Sequence, residues 1–437
     1  MVVRVYLGSV LNPVDSRRYS FLPSGGLAVS EDGRILSVGT ETAVEAEFPG
    51  ADVSRFEDAL IIPGLVDTHV HLPQYEAVAT ESSGLLEWLD RDIFPLEAAF
   101  EDVRKARSVA TRFFHDLAKN GTTTSSVFVT IHEDATRVAF EEAEKAGLRV
   151  LIGKVMMDRN CPPELREETT DSLKQSERLC AEWHGAAGGR LRYSFTPRFA
   201  VTCSPQLLRE SAQLAARYNA HIQTHLAESS DEIRLVKELF PKSRSYTEVY
   251  SALGMLRRGS VFAHAIYIND EEVALLATSG SGVAHCPASN LFLQSGFMDV
   301  DRLLRNDIDV GLGSDIAGGP EISVFRAMAF AGYSSKALLI SRMFDRTGLS
   351  VVDARVTFFL ATLGGARALG LGDEVGSLSK GKFADFLVIK PQEIDPLHRS
   401  PSEMSPDRLL SLLMYRGDDR VVMEAYVAGM KVNQPLE

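Results

Sequence analysis

From about residue 65 to residue 340 the chain alternates short apolar runs with longer stretches whose apolar residues recur at helical spacing. Such alternation marks repeated β-α units around a parallel sheet. The runs fall at 65–71, 122–129, 148–157, 191–199, 221–227, 261–267, 282–286 and 310–314, and most precede a helical stretch such as Glu97–Lys119 or Pro205–Tyr218. Eight such units predict an α/β fold, a TIM (β/α)8 barrel, whose chemistry sits at the C-terminal strand ends. Polar residues at the ends of these runs should therefore converge on one site.

The two chain ends follow a different rhythm. Val3–Val10, Gly26–Thr40 with its Glu31-Asp32-Gly33-Arg34 turn, Phe383–Lys390 and Val421–Val432 read as strands and hairpins. Residues 1–62 and 375–437 are expected to form one small β-sandwich domain, with 63–374 as the barrel. The Pro-rich, charged stretch Pro391–Pro406 reads as a loop.

Composition narrows the functional classes. A chain of 437 residues with 45% hydrophobic content can bury a large core. No apolar run reaches the roughly 18 residues of a membrane span, and the N-terminus does not resemble a signal peptide, so a soluble cytoplasmic protein with no membrane partner is expected. Cys161, Cys180, Cys203 and Cys286 are widely spaced, which suggests neither a disulfide framework nor a cysteine zinc site. A net charge of -13 argues against a nucleic-acid surface, so any nucleobase handled here is expected to be free.

The strand ends carry the chemistry. His69 and His71 lie at i and i+2 on the first strand, so both imidazoles point the same way. Arg198 ends the fourth strand, His225 and Glu228 follow the fifth, His264 ends the sixth and Asp315 the eighth. Three neutral imidazoles and a carboxylate can hold one Zn²⁺ with a position left open for water, so His69, His71, His225 and Asp315 are assigned as ligands. His264 is either a further ligand or a neighbour that hydrogen-bonds near the metal. Fe²⁺ or Mn²⁺ could fill the same donor set. A metal of this kind lowers the pKa of water to about 7, and a nearby unbound carboxylic acid can then shuttle protons. Glu228, three residues past His225, fits that role, against the alternative of a solvated loop carboxylate beside Asp231 and Glu232. His115, His132, His184, His221, His285 and His398 fall outside the converging pattern and read as structural.

Longer motifs point further. Pro63-Gly64-Leu65-Val66-Asp67-Thr68-His69-Val70-His71-Leu72-Pro73-Gln74-Tyr75, Leu85-Leu86-Glu87-Trp88-Leu89, Thr196-Pro197-Arg198-Phe199, His225-Leu226-Ala227-Glu228, His285-Cys286-Pro287 and Gly311-Leu312-Gly313-Ser314-Asp315 together resemble the amidohydrolase superfamily and, within it, the guanine deaminases. The resemblance runs through nearly the whole chain. It implies hydrolysis of guanine to xanthine and ammonia, with Gln74, Arg198 and Phe199 binding the purine and Trp88 either lining the pocket or packing in the core. It also implies that Asp315 takes the proton of the attacking water, that Glu228 protonates N3 and then the leaving amine, and that His264 steadies the tetrahedral oxygen. A homodimer is expected on likeness alone. Ala288 stands where the family often has Asn, and 316–322 lacks its usual small polar run, which leaves 8-oxoguanine, a pterin or a triazine as alternative substrates. A non-catalytic amidohydrolase-like scaffold is the rival from another class.

Overall fold

The computed structural model describes residues 2–81, 84–342 and 348–434. Four strands come first: β1 (Arg4–Pro13), β2 (Tyr19–Val29), β3 (Ile35–Thr40) and β4 (Asp52–Pro63). Nine follow in the central part: β5 (Leu65–His71), β6 (Thr122–Phe128), β7 (Arg149–Gly153), β8 (Val155–Met156), β9 (Leu191–Pro197), β10 (His221–Leu226), β11 (Ser260–His264), β12 (Gly282–His285) and β13 (Val310–Leu312). Three close the chain: β14 (Phe386–Ile389), β15 (Val422–Val427) and β16 (Met430–Lys431).

The central strands run parallel in the order β13-β12-β11-β10-β9-β7-β6-β5, with β8 pairing β9 beside β7. The eight apolar runs of the sequence correspond to this nearly closed barrel, with helices around it. Apart from the half-buried Arg192 of β9, its strands are buried along their lengths, as expected of a sheet enclosed on both faces. No ladder joins β5 to β13, and local bonds span the gap instead. Thr68 Oγ1 donates to the Leu312 carbonyl at 2.9 Å, Asp315 N donates to the His69 carbonyl at 2.9 Å, and Ser314 Oγ donates to Asp67 Oδ2 at 2.5 Å. Gly313 permits this approach, because a Cβ there would lie 2.9 Å from both Cys286 Sγ and His69 Cβ.

The second sheet draws on both ends of the chain, in the order β16-β15-β14-β4-β1-β2-β3. Between Leu7 and Ser9 of β1 its pairing with β4 jumps from Arg55 to Leu60, a bulge that bends the ladder. Tyr6, Leu27 and Val29 thereby meet Phe386, Val388 and Tyr426 in one apolar cluster, while Leu60, Ile62, Leu387 and Ile389 pack into the barrel's core. The helix Pro205–Tyr218 has the bounds its spacing predicts. The stretch 97–119 is not one helix. Asp102 caps a new helix at Val103–Lys119 by accepting from Arg104 N, and Glu97 belongs to the preceding short helix Phe94–Ala98. Pro391–Pro406 holds two 3-10 turns, after which Pro406–Arg416, a helix absent from the sequence reading, packs on Val324–Ser341.

Candidate active site

The strand ends deliver His69, His71, His225, Glu228, His264 and Asp315 to one place at the C-terminal mouth of the barrel. His71 Nε2 lies 3.2 Å from both His69 Nε2 and His225 Nε2, and Asp315 Oδ1 lies 3.2 Å from His69 Nε2 and 3.5 Å from His71 Nε2. His264 Nε2 sits 3.7 Å from Asp315 Oδ2 and 3.4 Å from Glu228 Oε2. Two of these residues hold left-handed backbone, His264 at φ 74° and Asp315 at φ 50°. Non-glycine residues take that conformation at a cost, and it turns both side chains inward off their strands.

The electrostatics match the crowding. Burial pulls the His69, His71 and His225 imidazoles below their ordinary range, so each favours the neutral form that ligates metals. Burial pushes the Glu228 carboxyl up to about 7, with His264 opposing and Asp315 adding to the rise. Burial also acts to raise Asp315, but the surrounding histidines outweigh it and hold the carboxyl well below the usual carboxylate range. For His264, burial pulls down, while Glu228 and Asp315 together bring the net shift upward.

The donor set fits a divalent cation. His225 Nδ1 donates to the Arg198 carbonyl at 2.7 Å, which leaves its Nε2 as a lone pair aimed at His71 Nε2. Three such nitrogens and a carboxylate oxygen cannot all satisfy one another through shared protons. A cation among them satisfies all four. His69, His71 and His225 form one cluster of metal-capable atoms, and His69, His264, Cys286 and Asp315 form a second that shares His69.

Beside this cluster opens a cavity lined by His71, Gln74, Trp88, Arg198, Phe199, His225, Glu228, His264 and Asp315, together with Leu85, Leu89 and Leu293. Every residue assigned from the sequence to substrate therefore faces the cavity. Trp88 both lines the cavity and packs in the main apolar core, and Glu228 is enclosed rather than a solvated loop residue. Ser295 Oγ donates to Glu228 Oε1 at 3.2 Å, which leaves Oε2 toward His264.

Residues 60–431 match the Amidohydrolase family. The chain belongs to that family. It is 37% identical over 418 residues to a guanine deaminase of Mus musculus, covering 93% of this chain and 91% of the relative. A guanine deaminase of Escherichia coli K12 is likewise 37% identical, over 411 residues, with 93% and 91% covered. The crystal structure of a guanine deaminase from C. acetobutylicum with guanine bound in its active site superposes with a TM-score of 0.91 at 32% identity, covering 98% of this chain and 99% of that one. Amidohydrolases of this family are metal-dependent, in keeping with the His and Asp cluster.

Several residues at this amidohydrolase site escaped the sequence reading. Glu97 is fully buried and receives Arg198 Nη1 at 2.7 Å and 2.6 Å on its two oxygens. Asn290 Oδ1 lies 2.9 Å from His264 Nδ1, and Phe128 packs its ring 4.6 Å from that of His71. Glu232 accepts from Glu228 N at 2.8 Å and from Tyr246 Oη at 2.7 Å. Of these partners only Glu232 carries a local signal that could have found it, the capping pattern Ser229-x-x-Glu232. His285, at the end of the seventh barrel strand, is buried away from the cavity, and burial pushes its imidazole down to about 3.

Proposed function

We infer that this amidohydrolase is a guanine deaminase, hydrolysing guanine to xanthine and ammonia. The observation that carries this reading is the cavity that sets Gln74, Arg198 and Phe199 beside Glu228, Asp315 and the three histidines, in a chain similar to guanine deaminases over almost its full length.

We propose Zn²⁺ as the resident ion, held by His69, His71, His225 and Asp315. Bound there, it supplies Lewis acidity and brings the pKa of water near neutrality. The rest falls to the chain itself. The Phe199 ring offers a flat face to the purine, Arg198 donates to O6, and the Gln74 amide reaches ring nitrogens. Asp315, held anionic by its histidines, takes the proton of the water that attacks C2. Glu228, enclosed and raised toward neutrality, carries a proton at Oε2 to N3 and then to the departing amine. His264, oriented by Asn290, faces the oxygen that develops at C2. Atoms balance: water supplies the C2 oxygen of xanthine and two hydrogens, the bond from C2 to the exocyclic nitrogen breaks, and ammonia leaves.

The wider setting is proposed on the same likeness: purine breakdown in the cytoplasm by a homodimer, each chain with a catalytic barrel over 63–374 and a small domain over 1–62 and 375–437. All four cysteine thiols are unpaired, as suits a reducing compartment. The deciding experiment is ammonia release from guanine by zinc-loaded protein, with His225→Ala alongside. Rapid release by the parent protein alone supports the reading. Full activity and full zinc content in His225→Ala would overturn the ligand assignment, and an inert parent that holds its zinc would overturn guanine as substrate.

A further inference from the structure

Arg198 reaches the cavity as a charge taken almost wholly out of water, since it is 2% exposed. A buried guanidinium needs a partner, and Glu97, itself fully buried, is the one it has. The way they meet is specific. Both carboxylate oxygens take the same nitrogen, Nη1, at 2.7 Å and 2.6 Å. Among the described residues, Nε and Nη2 of Arg198 donate to no protein acceptor, although the side chain lines the cavity. The fork that could have been spent wholly on Glu97 is held by one tine.

The same carboxylate also sets Gln74. Gln74 Nε2 lies 3.4 Å from Glu97 Oε1, and Gln74 Oε1 accepts from Ala317 N at 3.3 Å, so the amide has one orientation consistent with its neighbours. Phe94, one helical turn before Glu97, places its ring 5.2 Å from the Arg198 guanidinium carbon. Thr130 Oγ1 fixes the helix by donating to the Glu97 carbonyl at 2.9 Å. A single turn of helix, Phe94–Ala98, thus governs both polar groups assigned to the purine.

We propose that Glu97 is a positioning residue for substrate selection: it never touches the purine, but it aims Arg198 at the 6-oxo group and Gln74 at the ring edge. This rests on the guanine reading above. A carboxylate serving only to neutralise Arg198 would affect all ligands alike, whereas an aiming carboxylate matters most for ligands that carry an oxygen at C6.

The experiment compares hypoxanthine, which has the 6-oxo group, with purine, which lacks it, as competitive inhibitors of guanine turnover by the metal-loaded enzyme and by Glu97→Gln. The parent enzyme should favour hypoxanthine. In Glu97→Gln that preference should shrink about tenfold or more, the effect of a charge-assisted hydrogen bond lost from a buried site, with KM for guanine rising more than kcat falls. An equal loss for both ligands, an unchanged preference, or no preference in the parent enzyme would overturn the proposal. If Glu97→Gln fails to fold, Glu97→Asp keeps the charge and retracts it by one methylene. A reduced hypoxanthine preference there supports the aiming role, and an unchanged one overturns it. A parent enzyme that releases no ammonia from guanine refutes the guanine reading instead, so the two failures are distinct.

Discussion

Two buried arginine–carboxylate pairs occupy opposite ends of the barrel. At the N-terminal end Arg149 spends two nitrogens on Asp385, Nε on Oδ2 at 2.8 Å and Nη2 on Oδ1 at 3.3 Å, while Ala428 N adds a bond to Oδ1 at 2.7 Å. Phe383 covers the guanidinium, its ring centre 4.5 Å from the guanidinium carbon. That pair ties the first residue of β7 to the strand entering the second sheet, and it adjoins no cavity among those that line the site. At the C-terminal end Arg198 and Glu97 are as deeply buried, yet among the described residues two donor nitrogens of Arg198 take no protein acceptor and its side chain lines the cavity. One pair is architecture and the other recognition. What separates them is which donors remain and what they face.

The comparison can be broken most forcefully at the mouth. Removing the metal with a chelator should abolish ammonia release, with recovery on adding Zn²⁺. Turnover that survives complete loss of metal, measured by elemental analysis, would remove the site from the chemistry. Glu228→Gln keeps shape and takes away the proton carrier, so kcat should fall roughly 10²- to 10⁴-fold with metal content unchanged. At the other end, Asp385→Ala leaves Arg149 buried without its partner and should cost about 3–5 kcal/mol of stability, seen in denaturant unfolding, while the folded fraction keeps its turnover number. A comparable drop in turnover per folded molecule would show that the two ends are coupled. The smallest effect is expected from Tyr246→Phe, which removes the hydroxyl donating to Glu232. About 1 kcal/mol should be lost, with kcat reduced only a fewfold because Glu232 still holds the Glu228 backbone.

The sequence displayed the parts of this molecule that follow a repeating rule. Barrel strands enclosed on both faces are near-continuous apolar runs, so all eight were visible, and strand geometry made His69 and His71 a pair before any coordinates. Trp88 was undecidable because wall and core demand the same apolar surface. Glu97 carried no mark in the sequence for a physical reason: a carboxylate early in a helical stretch is indistinguishable from an exposed first-turn residue, and only the break at Asp102 and the approach of Arg198 from more than a hundred residues away reveal it as buried. Asn290 was hidden in the same way, since its partner His264 lies on another element, whereas Glu232 carried at least the local capping pattern with Ser229. The helix Pro406–Arg416 went unread because its apolar face covers helices of the barrel rather than following a β-α beat.

The gap between β5 and β13 has a consequence for timing. His69 stands on the first strand of the barrel and Asp315 just beyond the last, on the two elements that meet without a ladder and are fastened by Thr68, Ser314 and Asp67. During synthesis, a nascent chain that has emerged only as far as residue 300 possesses three of the proposed ligands and most of the cavity wall but no seam to close. The reactive centre thus cannot close before the eighth strand has emerged, although the second sheet still awaits β14, β15 and β16.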